Sequence, residues 1–111
     1  MEYRKINDDF AVTGQITADE IPTIKAAGYK SVISNRPDRE DGTVPHEGIE
    51  AAAKAAGLEF RYIPVVSGAI TPEDVEKMAD ALDEMEGPIF AYCRSGARST
   101  NLYMMAKLLR G

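Results

Sequence analysis

The chain holds one cysteine and one histidine, and each scarcity closes a route. A single thiol, Cys93, cannot form an intramolecular disulfide. Cys93 and His46 cannot build a metal cluster by themselves, and no spacing of Cys, His and carboxylates has the form of a zinc site. No metal and no cofactor are therefore expected. A basic excess is missing too: 13 Lys and Arg stand against 18 Asp and Glu, for a net charge of −5. That balance removes the usual ground for a nucleic-acid partner, which needs a basic face. The longest apolar runs are far too short to span a bilayer, so no membrane partner is expected. The opening MEYRKINDDF has no apolar stretch of signal type. These features lead us to expect a cytoplasmic protein whose thiol stays reduced and available for chemistry.

What remains is an ordinary globular composition. The chain has 111 residues, 44% hydrophobic and 28% charged, the size and make-up of a single domain over 1–111 that buries a core without staples. There is no internal repeat, linker or low-complexity tract. Residues 10–12 suit a short strand, followed by a turn at Thr13-Gly14-Gln15. Thr17 followed three residues later by Glu20 is a capping box, which predicts a helix running to Ala27 with Gly28 as its stop. Residues 29–34 and 58–65 suit strands, and 45–56 suits a helix ended by Gly57. Thr71 as N-cap, Pro72 in the first turn and Glu73-Asp74 after it open the clearest helix. Its apolar face is Val75, Met78, Ala79, Leu82 and Met85. The run 89–93 is apolar throughout, as in a central strand buried on both faces, and a last helix is predicted over 98–109. Strands alternate with helices, so the fold class is α/β, a mostly parallel sheet flanked by helices. Sites in such sheets lie beyond the carboxyl ends of the strands, where Cys93 sits.

The sequence around Cys93 is strand, Cys, a small glycine loop, Arg, helix. Gly96 lets the backbone curl so that successive N–H groups turn inward. The helix that follows adds the positive end of its dipole. Arg98 brings a planar fork suited to a tetrahedral oxyanion, and Ser99 can hydrogen-bond a thiolate. Together these lower a thiol's pKa and set a nucleophile beside an anion cradle made by Arg94, Ser95, Gly96, Ala97 and Arg98. An accessible thiol of this kind oxidises readily. A buried structural cysteine would require neither arginine nor a glycine loop opening a helix.

The stretch AYCRSGARS, with TGQI, SNRPD and AAGLEFRYIPV upstream, resembles the phosphatase-like domain of the beta-lactamase hydrolase-like proteins over roughly residues 3–109. The resemblance implies a fold similar to the cysteine-dependent dual-specificity phosphatases. It also implies an association with sulfide and persulfide metabolism, since in some relatives such a domain precedes a persulfide dioxygenase. That enzyme, or another thiol acceptor, is then an implied partner.

Two mechanisms share the thiolate. The phosphatases separate Cys and Arg by one residue more than the four found here, and the shorter loop resembles that of the rhodanese sulfurtransferases. A phosphatase also needs an acid to protonate its leaving oxygen, and the loop Val66-Ser67-Gly68-Ala69-Ile70 contains none. Asp38, on the loop that also carries Arg36, is the remaining candidate, although Pro37-Asp38 equally suits a plain turn. Sulfur transfer needs no such acid. The sequence reading is therefore a rhodanese-like sulfurtransferase acting through a Cys93 persulfide. The alternatives are a cysteine phosphatase acting through a phosphocysteine and a non-catalytic anion- or persulfide-binding module. The substrate is in each case a small anion: thiosulfate, a persulfide or a phosphoester.

Cys93, Arg98 and Ser99 are the expected catalytic set. Arg94, Ser95, Gly96, Ala97, Arg36 and Asp38 are the expected anion-binding set. Arg36 has an ordinary alternative as an ion-pair partner of Asp38 or Glu40. Gln15 reads as a solvated turn residue, and His46 as a surface residue at a helix start. Tyr62, Tyr92 and Tyr103 read as packing residues.

Overall fold

A computed structural model describes residues 1–111. The chain forms β1 (Arg4–Asn7), β2 (Phe10–Thr13), α1 (Ile21–Ala26), β3 (Ser31–Ser34) and α2 (His46–Ala55). It continues through β4 (Glu59–Tyr62), α3 (Pro72–Glu84), β5 (Ile89–Tyr92) and α4 (Ala97–Arg110). The five strands make one sheet in the order β1-β2-β5-β3-β4. β2, β5, β3 and β4 run parallel, and only β1 is antiparallel to its neighbour. The α/β class and the mostly parallel sheet expected from the sequence are what the structure has.

Alternation along the strands divides the core into two faces. Phe10, Val12, Ile33, Ile89 and Ala91 point toward α3 and α4, meeting Met78, Ala81, Leu102 and Ala106. Ala11, Val32, Phe60, Phe90 and Tyr92 point the other way, against Ile21 and Ile24 of α1 and Ile49 and Ala53 of α2. Tyr92 and Tyr103 are buried, with Tyr103 stacked on Phe10 at 4.0 Å. No helix is long and apolar enough to cross a membrane.

Several boundaries differ from the sequence reading. β1 was not foreseen: it is an exposed edge strand carrying Arg4 and Lys5, without the apolar alternation that betrays a half-buried strand. The capping-box helix is split into a 3₁₀ turn at Ala18–Glu20 and the short α1, although Glu20 does accept the Thr17 N–H at 2.9 Å. The strand read over 58–65 pairs only from Glu59 to Tyr62. Beyond it, Ile63 and Val65 still donate their N–H groups to the carbonyls of Ser34 and Asn35, so the chain stays extended alongside the end of β3. α3 starts as expected, with the Thr71 hydroxyl accepting the Asp74 N–H at 3.1 Å.

Candidate active site

The central strand β5 is flanked by β2 and β3, and its carboxyl end delivers Cys93 to the edge of the sheet. The Cys93 N–H is held by the carbonyl of Thr13, so the loop departs from a fixed point. Gly96 turns the chain with φ at +94°, a left-handed conformation that suits glycine, and α4 begins at the next residue. Gly14 is needed for a different reason. A Cβ there would lie 2.7 Å from the Arg94 carbonyl oxygen, so the turn after β2 braces the loop by direct backbone approach.

Cys93 is 1% exposed, more enclosed than the accessible thiol the sequence suggests, yet its side chain lines a cavity of about 470 Å³. The Gly96 N–H donates to its Sγ at 3.1 Å. Burial is the largest single influence on the thiol and pushes it up. Hydrogen bonds from the Ser99 N–H and hydroxyl and from the Ser95 and Gly96 N–H groups together outweigh burial, so the thiol titrates below its ordinary value. The Ser99 hydroxyl is buried and makes no hydrogen bond in the structure, so its proton is free to turn toward Sγ as the thiol ionises. The sign of its contribution is testable, because a donor to the thiolate favours the charged form. In Ser99→Ala the acid limb of Cys93 alkylation by iodoacetamide is expected to move to higher pH. Alkylation near neutrality should slow about tenfold, the equivalent of one hydrogen bond to a charged group.

Arg98 projects into the same cavity from the first turn of α4 and is 9% exposed. Its Nη1 donates to the Val65 carbonyl at 2.8 Å and to Glu40 Oε2 at 2.7 Å, and its Nη2 donates to Glu40 Oε1 at 3.3 Å. Its Nε is buried without any partner. Glu40 Oε1 also accepts from Arg36 Nε at 3.1 Å. The Arg98 hydrogen bond is the largest influence on the Glu40 carboxyl and, with both guanidinium charges, holds it below the usual carboxylate range against the opposing effect of burial. Arg36 is buried with a partner on each guanidinium nitrogen, donating also to Gln15 Oε1 at 3.1 Å and to the Asp41 carbonyl at 2.7 Å.

The cavity thus brings together Cys93, Arg94, Ser95, Ala97, Arg98 and Arg36, while Ser99 and Gly96 act on the sulfur from within the loop. Three expectations, for Asp38, Gln15 and His46, need correction. Asp38 does not line the cavity. Its carboxylate accepts the His46 N–H at 2.9 Å and meets His46 Nδ1 at 2.7 Å, which ties down the first residue of α2. Gln15 is a bound partner of Arg36 rather than a solvated amide. His46 is half-buried and stacks on Tyr62 at 3.7 Å. Asp38, His46 and Glu47 are close enough to share a cation, but the group lies outside the cavity and Asp38 and His46 already bind each other.

Glu40 is the ion-pair partner of Arg36 that the sequence offered, but sequence reasoning placed neither it nor Asp41 in the cavity, which both line. Asp41 is exposed, and its carboxylate has neither a hydrogen bond nor an ion pair. The run Glu40-Asp41-Gly42 reads as a solvated loop, and nothing local marks it as facing Cys93.

The family model of the phosphatase-like domain of beta-lactamase hydrolase-like proteins matches residues 2–109. A beta-lactamase hydrolase-like protein of Agrobacterium fabrum is 37% identical over 112 residues, which cover the whole of this chain and 26% of that protein. The chain therefore spans about a quarter of the length of such curated relatives. A Neisseria meningitidis protein provisionally described as a phosphatase superposes with a TM-score of 0.84 at 30% identity, over 97% of this chain and 78% of that one. The catalytic core of the S. cerevisiae PP-IP phosphatase SIW14 superposes with a TM-score of 0.70 at 14% identity, over 98% and 67% of the two chains, and shares the fold.

Proposed function

The chain belongs to the family of the phosphatase-like domain of beta-lactamase hydrolase-like proteins, and from that premise we propose that it is a cysteine-dependent phosphatase. One observation carries the reading. The Cys93 thiol, lowered by donors of its own loop, shares a cavity with a buried Arg98 whose Nε has no partner. A phosphoryl group resting there would accept from Arg98 Nε and from loop N–H groups, which suits the charge of an in-line transfer.

The chemistry follows in two steps. Cys93 Sγ attacks phosphorus, an S–P bond forms, and the bond to the ester oxygen breaks. That oxygen leaves as an alkoxide or phenoxide and needs a proton. Asp41 is the acid we assign, because Glu40 is held ionised between two arginines and Asp38 is bound to His46. Water then attacks phosphorus, giving its proton to the Asp41 carboxylate, and the S–P bond breaks to release phosphate and the thiolate. In Asp41→Asn the loss should grow with the basicity of the leaving group. It should be several-fold or less for p-nitrophenyl phosphate and about 10²-fold for an alkyl phosphate. Equal losses on both substrates would remove Asp41 from the acid's role.

The sulfurtransferase is a second reading, supported by the four-residue spacing between Cys93 and Arg98. In it the thiolate takes the outer sulfur of thiosulfate, sulfite leaves, and the persulfide passes to a second thiol. One paired assay separates the two. Phosphate release from p-nitrophenyl phosphate is measured beside thiocyanate formation from thiosulfate and cyanide. Phosphate release without thiocyanate is the expected result, and thiocyanate alone would replace the phosphatase with the sulfurtransferase.

A further inference from the structure

We propose that the substrate is a small polar phosphomonoester carrying a second anionic group, a carboxylate or another phosphate, which Arg94 binds. The inference rests on the phosphatase reading and names the substrate class of that site.

The cavity wall gives the first reason. Its lining is dominated by charged and hydroxyl side chains and has no aromatic ring. Beside Cys93 only Ile70 and Ala97 are apolar. A phosphotyrosine ring entering here would bury its faces against charges and hydroxyls, losing the apolar and stacking contacts that reward a ring. A compact polar molecule loses nothing of that kind. The volume is the second reason: about 470 Å³ is several times what one phosphoryl group needs, so the rest of the substrate also sits among polar groups.

Charge gives the third. Arg36 and Arg98 both hold Glu40, and each of the three guanidinium nitrogens of Arg36 already donates to a protein acceptor. Arg98 Nε is buried and is the one guanidinium nitrogen of this pair without a partner. Arg94 is the remaining cation of the lining. Its side chain makes no hydrogen bond and no ion pair, and it is exposed. Its backbone is not loose, because the carbonyl is packed against Gly14 and the preceding residue is held by Thr13. A guanidinium on a fixed root, adjacent in sequence to the nucleophile and without an internal partner, fits a planar or tetrahedral oxyanion near the scissile phosphate. Asn101, also lining the cavity and exposed, can accept hydroxyl donors of the same molecule.

The test is binding to Cys93→Ser, measured by calorimetry with phosphoglycolate and with ethyl phosphate, which lacks the carboxylate. Phosphoglycolate is expected to bind about ten- to hundredfold more tightly, the worth of one charge-assisted contact. Adding Arg94→Gln should collapse that ratio toward one, and Arg94→Lys, which keeps the charge, should restore part of it. Equal affinities of the two ligands, or a ratio indifferent to Arg94→Gln, would overturn the inference. Turnover of the two esters by the wild type is measured alongside. Cys93-dependent phosphate release with equal affinities defeats the substrate class alone. An absence of phosphate release from both esters, with the affinity ratio intact, defeats the phosphatase and leaves the doubly anionic ligand standing.

Discussion

Cys93→Ser is expected to lower kcat/KM for p-nitrophenyl phosphate by at least about 10³-fold, the scale on which removing a covalent nucleophile acts. The loss comes from chemistry rather than folding. Serine is close in size to cysteine, and its oxygen can accept from the same Gly96 N–H that now meets Sγ at 3.1 Å. What it does not reproduce is the charge. Donors from Ser95, Gly96 and Ser99 bring a thiol below its ordinary range, whereas an alkanol starts so much higher that the same donors leave it protonated. The variant should therefore keep its melting temperature and still bind phosphate while failing to turn over. Steady-state rates beside calorimetric phosphate binding check both halves. Residual turnover within tenfold of the wild type would show that Cys93 is not the nucleophile.

Arg98→Lys should cost about 10²- to 10³-fold in kcat/KM although it preserves the positive charge. The arginine has divided duties. Its Nη1 is anchored to the Val65 carbonyl and to Glu40, and its Nε is left free and buried. A lysine ammonium is a point charge at the end of a flexible stem. It can meet Glu40 or a phosphoryl oxygen, but it cannot brace itself on one edge while presenting another. The loss should fall largely on kcat, because the transition state spreads charge over more oxygens than the ground state offers. A rise in KM with kcat unchanged would instead make Arg98 a simple binding residue.

The sequence exposed some parts of this molecule far better than others, for physical reasons. The Cys93 loop was legible because everything that builds it is local: strand end, Gly96, Arg98 and the start of α4 are consecutive. The two sheet faces were legible wherever apolar alternation forced them, as at Phe10 and Val12 against Ala11. β1 was not, because an exposed edge strand carries no such pattern. Glu40 was legible as a partner of Arg36, four positions away, but not of Arg98, because that contact spans 58 positions and forms only when the loop after β3 folds over the end of β5. Asp38, two positions earlier, was the more conspicuous acid, but α2 starts close by and His46 takes its carboxylate. Two positions of chain thus separate an acid that caps a helix from one that enters the cavity.

Glu40, seated between two guanidiniums, also governs how the cavity looks from a distance. Arg36, Arg98 and Glu40 together present one net positive charge, not two, and the surrounding chain is acidic overall. Little positive potential then reaches beyond a Debye length of about 8 Å at physiological salt. Long polyanions are not drawn in by steering, and a small anion feels the arginines only once it has entered. Capture is therefore short-ranged. The anion fills the unpartnered Nε of the buried Arg98, a contact that salt screens little, and meets the exposed Arg94, a contact that salt weakens.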